Sequence, residues 1–360
     1  MRILHIISSA AAGGAEIYVR DLSVEMVKAG HEVFILFLDR ASEAGRDGGF
    51  EAGFLNEIES HGIEYDFIGK DARKRPWRGV RKINQVADRF SPDVVHCHLY
   101  YAAIFSLFVK NAKVVYTHHN IRLGAKSIIY KLLDMKVSRY IGICLACKKL
   151  LEGVSRKKVE RIDNGVTPER IQRRIRGGEH SADDIVQLIS VGRLSDQKNL
   201  SLMISSLAKL TDARYHLKIA GEGGLRESLE QLVREKGLSD RVEFLGNVSN
   251  VDELLYDADV FVMSSAWEGL PIAQIEATLS GLPVVVTNVG GCAEIVHKAC
   301  NGIVVDELDE EGYAAALQKM LTNSELRHLL SRNALDYSGD YLIKTSADKH
   351  IALYQEAITV

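Results

Sequence analysis

Two carboxylates, Glu268 and Glu276, stand eight positions apart in the run Glu268-Gly-Leu-Pro-Ile-Ala-Gln-Ile-Glu276. Pro271 suits the first position of a helix, where a missing N–H costs nothing. Glu268, Gly269 and Leu270 then present backbone N–H groups at a positive helix end, a place suited to a phosphate. Eight residues is a little over two helical turns, so Glu276 is expected two turns inside the helix and on the same side as the loop. A carboxylate beside a bound anion does not hold the anion. It accepts hydrogen bonds from hydroxyls, and a phosphate flanked by hydroxyls on both sides is the chemistry of a sugar nucleotide.

Other constellations fall at similar corners. Gly13-Gly14-Ala15-Glu16 follows the first apolar run and opens a polar helix, which allows close backbone approach to an anion. It is not GxGxxG, and there is no Walker A sequence, so nicotinamide, flavin and P-loop readings are weak. Gly192-Arg193-Leu-Ser-Asp-Gln-Lys198-Asn199 places two cations in one strand–helix loop. A guanidinium fork and an ammonium together suit a diphosphate leaving group. His96-Cys-His98 and His118-His119-Asn120 close two successive apolar runs. Histidines in such numbers could hold a metal, but no carboxylate is interleaved at ligand spacing. Contact with a reactant is expected for one or two of them, and a core role for His96. Asp257-Ala-Asp259 reads as a helix–strand connection, Gly290-Gly291-Cys-Ala-Glu294 as support for a loop, and Cys144-Leu-Ala-Cys147 as buried small hydrophobes.

The elements that must position these residues alternate in type. Apolar runs at 3–8, 32–38, 64–68, 93–98, 113–117 and 140–144 read as buried strands, with helices such as 15–28 and 78–90 between them. The pattern stops near Arg161–Glu179, where Arg173, Arg174, Arg176, Gly177 and Gly178 read as an inter-domain connection. It resumes with strands at 186–192, 215–220, 242–245, 259–263, 284–287 and 302–305 and helices at 199–210, 225–236, 251–256 and 272–280, then ends in helical sequence from Glu310. The fold class is therefore α/β: two doubly wound parallel sheets in tandem. A cleft between two such units is the expected site.

A length of 360 residues allows a sizeable core in each domain, and 46% hydrophobic with 26% charged residues is a soluble composition. No apolar run reaches membrane-spanning length. An odd count of five cysteines, and a start that reads as a strand and not a signal peptide, point to the cytoplasm. The first 165 residues hold 26 Lys and Arg against 19 Asp and Glu, the remainder 19 against 29. Arg73, Lys74, Arg75 and Arg78 around Trp77 form the densest basic run. An anionic membrane surface or anionic acceptor competes evenly there with a plain solvated face. Nucleic acid is not expected of a mildly acidic chain.

Taken in order, GGAE, THHN, DNGV, GRLSDQKN, AGEGG, EGLPIAQIE and GGCAE resemble glycosyltransferase family 4, retaining sugar-nucleotide transferases of GT-B architecture. The resemblance covers nearly the whole chain. It implies an acceptor-binding Rossmann-like domain at 1–165, onto which a C-terminal helix of about 340–360 packs back, and a donor-binding one at 166–340. It implies that Arg193 and Lys198 bind the donor diphosphate, that Glu276 holds the ribose, and that Glu268 contacts the transferred sugar. Gly269 and Leu270 would complete the phosphate cradle, Gly14 would close from the other domain, and Asn247 and Val248 would read the base. His119 aligns with the family's histidine, with His118 an adjacent candidate. Thr167 stands where the family often has Asp.

The activity so implied is transfer of a hexose or N-acetylhexosamine to a glycan or lipid-linked acceptor, in bacterial surface polysaccharide synthesis. A UDP-sugar is expected ahead of a GDP-sugar, and neither a divalent metal nor another cofactor. The protein would be cytoplasmic, peripheral on the inner face of the membrane. A GT-B-like epimerase or hydrolase is the rival enzyme. A non-catalytic sugar-nucleotide-binding protein is the other rival, and it would not need Glu268 and His119.

Overall fold

A computed structural model describes residues 1–44, 48–175, 185–306, 308–337 and 339–359. Arg176, Gly177 and Gly178 of the expected connection lie outside them, as does the side chain of Arg73. The chain forms two compact units, Met1–Val166 with Asp340–Val360, and Thr167–Gly339.

Unit 1 runs β1 (Arg2–Ile7), α1 (Gly14–Lys28), β2 (Glu32–Phe37), α2 (Gly48–Ser60), β3 (Glu64–Phe67), α3 (Pro76–Phe90) and β4 (Val94–Cys97). It continues with α4 (Tyr100–Phe105), β5 (Lys113–His118), α5 (Ser127–Leu133), β6 (Val137–Gly142), α6 (Leu145–Glu152) and β7 (Val159–Arg161). Its strands form one parallel sheet of order β3-β2-β1-β4-β5-β6-β7. Unit 2 runs β8 (Val186–Val191), α7 (Leu200–Leu207), β9 (Tyr215–Ala220), α8 (Arg226–Glu235), β10 (Val242–Gly246), α9 (Val251–Asp257) and β11 (Val260–Met263). Then come α10 (Ile272–Leu279), β12 (Val284–Thr287), α11 (Cys292–Ala299), β13 (Gly302–Val305), α12 (Glu310–Thr322) and α13 (Ser324–Asp336). The sheet order is β10-β9-β8-β11-β12-β13, again parallel.

The central strands are mostly apolar on both faces because helices cover both. In unit 1, Leu4, Ile6, Val95, Cys97, Val114 and Tyr116 share one core with Ile83 and Val86 of α3. Strand alternation turns the intervening residues to the other face. That face is covered by α1 and by α14 (Ile343–Thr359), which pack on each other. Ser346 of α14 fixes the contact. Its hydroxyl donates to the carbonyl of Asp163 at 3.0 Å, so the Tyr18 hydroxyl, 2.7 Å away, must donate to Ser346. All three residues are buried.

Two details differ from the sequence expectation. The sixth strand begins earlier, at Val137, and a short seventh strand, β7, joins the sheet edge where a connection was expected to begin. Three residues are too few to show a period, and their pairing with β6 decides the conformation. Among the described residues no helix is long and apolar enough to cross a membrane.

Ser346→Ala leaves the Tyr18 hydroxyl buried without its acceptor. We expect unit 1 to lose about 1–3 kcal/mol, measured as a shifted urea midpoint with unchanged slope.

Candidate functional site

Every strand–helix loop in a parallel sheet emerges at the carboxyl edge, and the point where strand order reverses opens a crevice there. In unit 2 the reversal lies between β8 and β11. The loops after these strands supply Lys198 and Glu268. Lys198 Nζ donates to Glu268 Oε1 at 2.6 Å. Ser265 Oγ donates to the same oxygen at 2.9 Å, and Gln197 Nε2 donates to Oε2 at 3.1 Å. Three of the roughly four lone-pair sites of this carboxylate are thus taken, and one remains for a ligand hydroxyl. Glu268 is only 5% exposed, so the ammonium beside it is what makes its charge tolerable. Gly192 lets the lysine pass: a Cβ there would lie 2.7 Å from Lys198 Cε.

Pro271 is the N-cap of α10, not its first helical residue. Its ψ is extended at 118°, and its carbonyl accepts the Ile275 N–H at 3.2 Å. Proline fixes φ but leaves ψ free, so either position was open to it. Glu276 is little more than one turn inside the helix, because the first three residues after Glu268 belong to the loop and the cap. It is buried, and Arg170 forms an ion pair with it. The sequence did not single out Arg170, which is 106 residues away and ends a short 3-10 turn, Pro168–Arg170. The neighbouring loop supports the start of this segment. Gly291 N–H donates to the Gly269 carbonyl at 2.7 Å, and Gly290 (φ +54°) sits so close that a Cβ would lie 1.8 Å from the Glu268 carbonyl oxygen.

The other expected donor residues share this edge. Arg193, exposed, lies in the loop after β8. Gly269 and Leu270 are buried against the start of α10. Asn247, exposed, and Val248, half-buried, follow β10, two strands from β8. Asp259 takes the Gln187 N–H at 2.9 Å, a strand connection as expected of that sequence.

In unit 1 the reversal lies between β1 and β4. Gly14 is exposed at the start of α1, and Ser8 Oγ donates to Glu16 Oε1 at 2.5 Å across the same loop. The two candidate histidines part company. His118 shares a face with Tyr116, whose hydroxyl lies 2.9 Å from its Nδ1. His119 turns the other way and its Nε2 lies 2.9 Å from Nδ1 of His98. His98 Nε2 in turn lies 3.0 Å from Nδ1 of His5. His96, paired with His5 across β1 and β4, places Nε2 2.7 Å from Thr117 Oγ1 and Nδ1 2.5 Å from the Tyr354 hydroxyl. His350 of α14 donates from Nδ1 to the Ser346 carbonyl at 2.8 Å. His5, His350 and Tyr354 were not anticipated. Period-two alternation from His96 and His98 to the adjacent strand could have found His5.

Burial pushes His5 and His119 down to about 3 and His118 and His350 to about 4, and holds His96 and His98 well below the ordinary range. All six are neutral at pH 7. Nitrogens of His5, His96 and His98 lie within 4.8 Å of one another. Both nitrogens of His96 and of His98 already have protein partners, which a metal would have to displace.

The basic run lies at the start of α3. Trp77 is 63% exposed. Arg78 pairs with Asp71 at 3.0 Å and Arg75 approaches the same carboxylate at 4.0 Å, while Lys74 is exposed.

Two family models match. Residues 12–170 match Glycosyltransferase Family 4, and residues 172–336 match Glycosyl transferases group 1. An uncharacterized glycosyltransferase of Methanocaldococcus jannaschii is 27% identical, over 93% of this chain and 93% of its own. The lipopolysaccharide core biosynthesis glycosyltransferase LpsE of Rhizobium meliloti is 26% identical, over 86% of this chain and 96% of its own. The crystal structure of Anabaena HepE in complex with UDP-glucose superposes with a TM-score of 0.81 at 20% identity, covering 99% of this chain and all of that one.

Two outcomes follow from this geometry. Gly290→Ala forces the Glu268 carbonyl to move, and we expect it to cost at least about 2 kcal/mol of unit 2 stability, read by urea unfolding. The buried histidines make unit 1 sensitive to acid. The unfolded chain takes up their protons near pH 6.5, whereas the folded chain resists until about pH 3–4. Stability is therefore full above about pH 6.5 and falls as pH drops, by about 1.4 kcal/mol per pH unit for each such group. Hydrogen exchange of unit 1 peptides between pH 7 and 5, corrected for intrinsic rates, should show this fall. A flat profile would mean that the folded histidines are already charged.

Proposed function

Because the chain belongs to glycosyltransferase family 4, we propose that this glycosyltransferase is a retaining hexosyltransferase. In this reading it moves a hexose or N-acetylhexosamine from a UDP-sugar to a hydroxyl of a glycan or lipid-linked glycan, in surface polysaccharide synthesis. The observation that carries the reading is the Lys198 ammonium held at 2.6 Å by buried Glu268 at the strand-order reversal of unit 2. A cation fixed before the substrate arrives costs no reorganisation when charge grows on a leaving diphosphate. Lys198 supplies that charge, and Arg193 a second. Gly269 and Leu270 offer backbone at the α10 start.

Glu276 accepts the ribose hydroxyls, with Arg170 paired to the carboxylate and holding it in place. Asn247 and Val248 stand two strand spacings from β8, about 10 Å, a separation suited to a base and its diphosphate. Glu268 keeps one acceptor site for a hydroxyl of the transferred sugar, and His119 or His118 meets the reacting sugars. Fixed cations can do the work of a metal, so we propose metal-independent transfer. In this reading retention proceeds by attack on the same face as departure, and the acceptor proton passes to the leaving phosphate. UDP-glucose in the HepE structure and the lipopolysaccharide role in the name of LpsE support the donor and pathway assignments. The exposed Trp77 beside Lys74, Arg75 and Arg78 suits a peripheral site on an anionic cytoplasmic membrane face, where a lipid-linked acceptor would lie.

Incubation with UDP- and GDP-sugars, with and without lipid-linked acceptors, tests the assignment. We expect acceptor-dependent transfer that keeps the anomeric configuration and survives chelation of divalent ions. Acceptor-independent release or isomerisation would favour the epimerase or hydrolase. Glu276→Ala should weaken donor binding by at least about 10-fold. Unchanged calorimetric affinity would remove Glu276 from the ribose site.

A further inference from the structure

Three imidazoles run end to end through unit 1. His5 Nδ1 faces His98 Nε2 at 3.0 Å, and His98 Nδ1 faces His119 Nε2 at 2.9 Å. Each end of this chain, His5 Nε2 and His119 Nδ1, is buried and has no hydrogen-bond partner among the described residues. Three neutral rings carry three N–H protons. Each of the two junctions needs one, since two facing lone pairs or two facing protons repel. One proton is left, and it sits at one end or the other. The chain therefore has only two ordered states, and choosing the tautomer of one ring fixes all three.

The two ends are not alike. Both end nitrogens are covered by protein, but His5 lies inside a central strand and is 0% exposed, while His119 follows the strand end and is half-buried, so only the His119 end lies beside the rim where a ligand oxygen can approach it. An N–H sealed in without an acceptor is costlier than a bare lone pair. We infer that His5 and His98 are positioning residues that lock His119 in the tautomer carrying its proton on Nδ1. His119 Nδ1, itself covered, then carries the one uncommitted proton of the chain beside the carboxyl edge of unit 1, for an acceptor that a ligand brings there. Its ligand atom is an oxygen of the sugar, a hydroxyl or ring oxygen, and the resting ring is not a base. His118, on the opposite face with Tyr116, is outside this chain. The role in sugar binding rests on the proposed glycosyl transfer, whereas the tautomer does not.

Long-range proton–nitrogen spectra of protein labelled with 15N-histidine read the tautomer of each ring without any substrate. Signals are assigned by single substitutions of His5, His98 and His119. In the unsubstituted protein we expect His119 protonated at Nδ1, with His98 protonated at Nδ1 and His5 at Nδ1. Protonation of His119 at Nε2, a mixture of tautomers, or the shifts of metal-bound nitrogen with zinc in the purified protein would each overturn the inference. In transfer assays, His98→Phe and His5→Phe should lower kcat about 10-fold or more with donor KM unchanged. His5→Asn, which keeps a polar atom near the Nδ1 position, should recover most of the loss at position 5. Equal losses in His5→Asn and His5→Phe would count against the chain. Absence of transfer with every donor would defeat the functional reading alone, since the spectra would still decide the tautomer.

Discussion

A parallel sheet can be continued only by crossing back over its own face, so every strand releases the chain at the same edge. That constraint organises both units. In unit 2 it brings the loops after β8, β9, β10, β11 and β12 to one rim, and in unit 1 it does the same for those after β1, β4 and β5. At the rim the regular backbone pairing ends, and polar groups must find partners among side chains or ligands. The chemistry-bearing residues sit where they do because these are the places where the fold leaves polar groups to be satisfied.

The two units meet that demand differently. Unit 2 keeps charges. Lys198 with Glu268, and Arg170 with Glu276, are nearly buried pairs in which each partner offsets the desolvation of the other. Such pairs are poor sources of stability. Their value is that a cation and an acceptor carboxylate stand at fixed positions before anything binds. Unit 1 keeps a carboxylate, Glu16, beside Ser8 at its rim, but around β4 and β5 it uses neutral groups. These are imidazoles and hydroxyls, stacked from β1 through β4 to β5 and covered by Tyr18, His350 and Tyr354. A neutral network survives burial only if every junction has one proton, which ties the fold of α14 to the protonation pattern two strands away.

Much of this was legible in the sequence. The class of fold followed from buried runs alternating with amphipathic helices, and the ordered short motifs from GGAE to GGCAE pointed to the family that the comparisons show. What escaped has physical reasons. Strand β7 is three residues long and takes its form from β6. Pro271 could cap a helix or begin it, and the ψ that decides is left free by the proline ring. Arg170 meets Glu276 across 106 residues of sequence, a separation no local pattern bridges. His350 and Tyr354 reach the histidine network only because the chain, after building unit 2, returns to lay α14 on unit 1. His5 was within reach: strand alternation, if applied, puts His96 and His98 on one face, and the neighbouring strand contributes its own inward residue at the paired position.

The same alternation explains why adjacent histidines cannot be equivalent. Consecutive residues at a strand end point to opposite faces, so one of His118 and His119 must turn towards the α3 and α4 side and the other towards α1 and α14. On the first side the neighbours are apolar or phenolic, as with Tyr116 and Tyr130. On the second they are imidazoles that can pass a hydrogen-bond polarity from ring to ring. A histidine gains a defined donor or acceptor face only when its other nitrogen is committed, and a ring commits its neighbour most strictly when it too has a single proton to give. Sheet register thus decides which ring is chemically directed, a property that neither residue carries in its own identity.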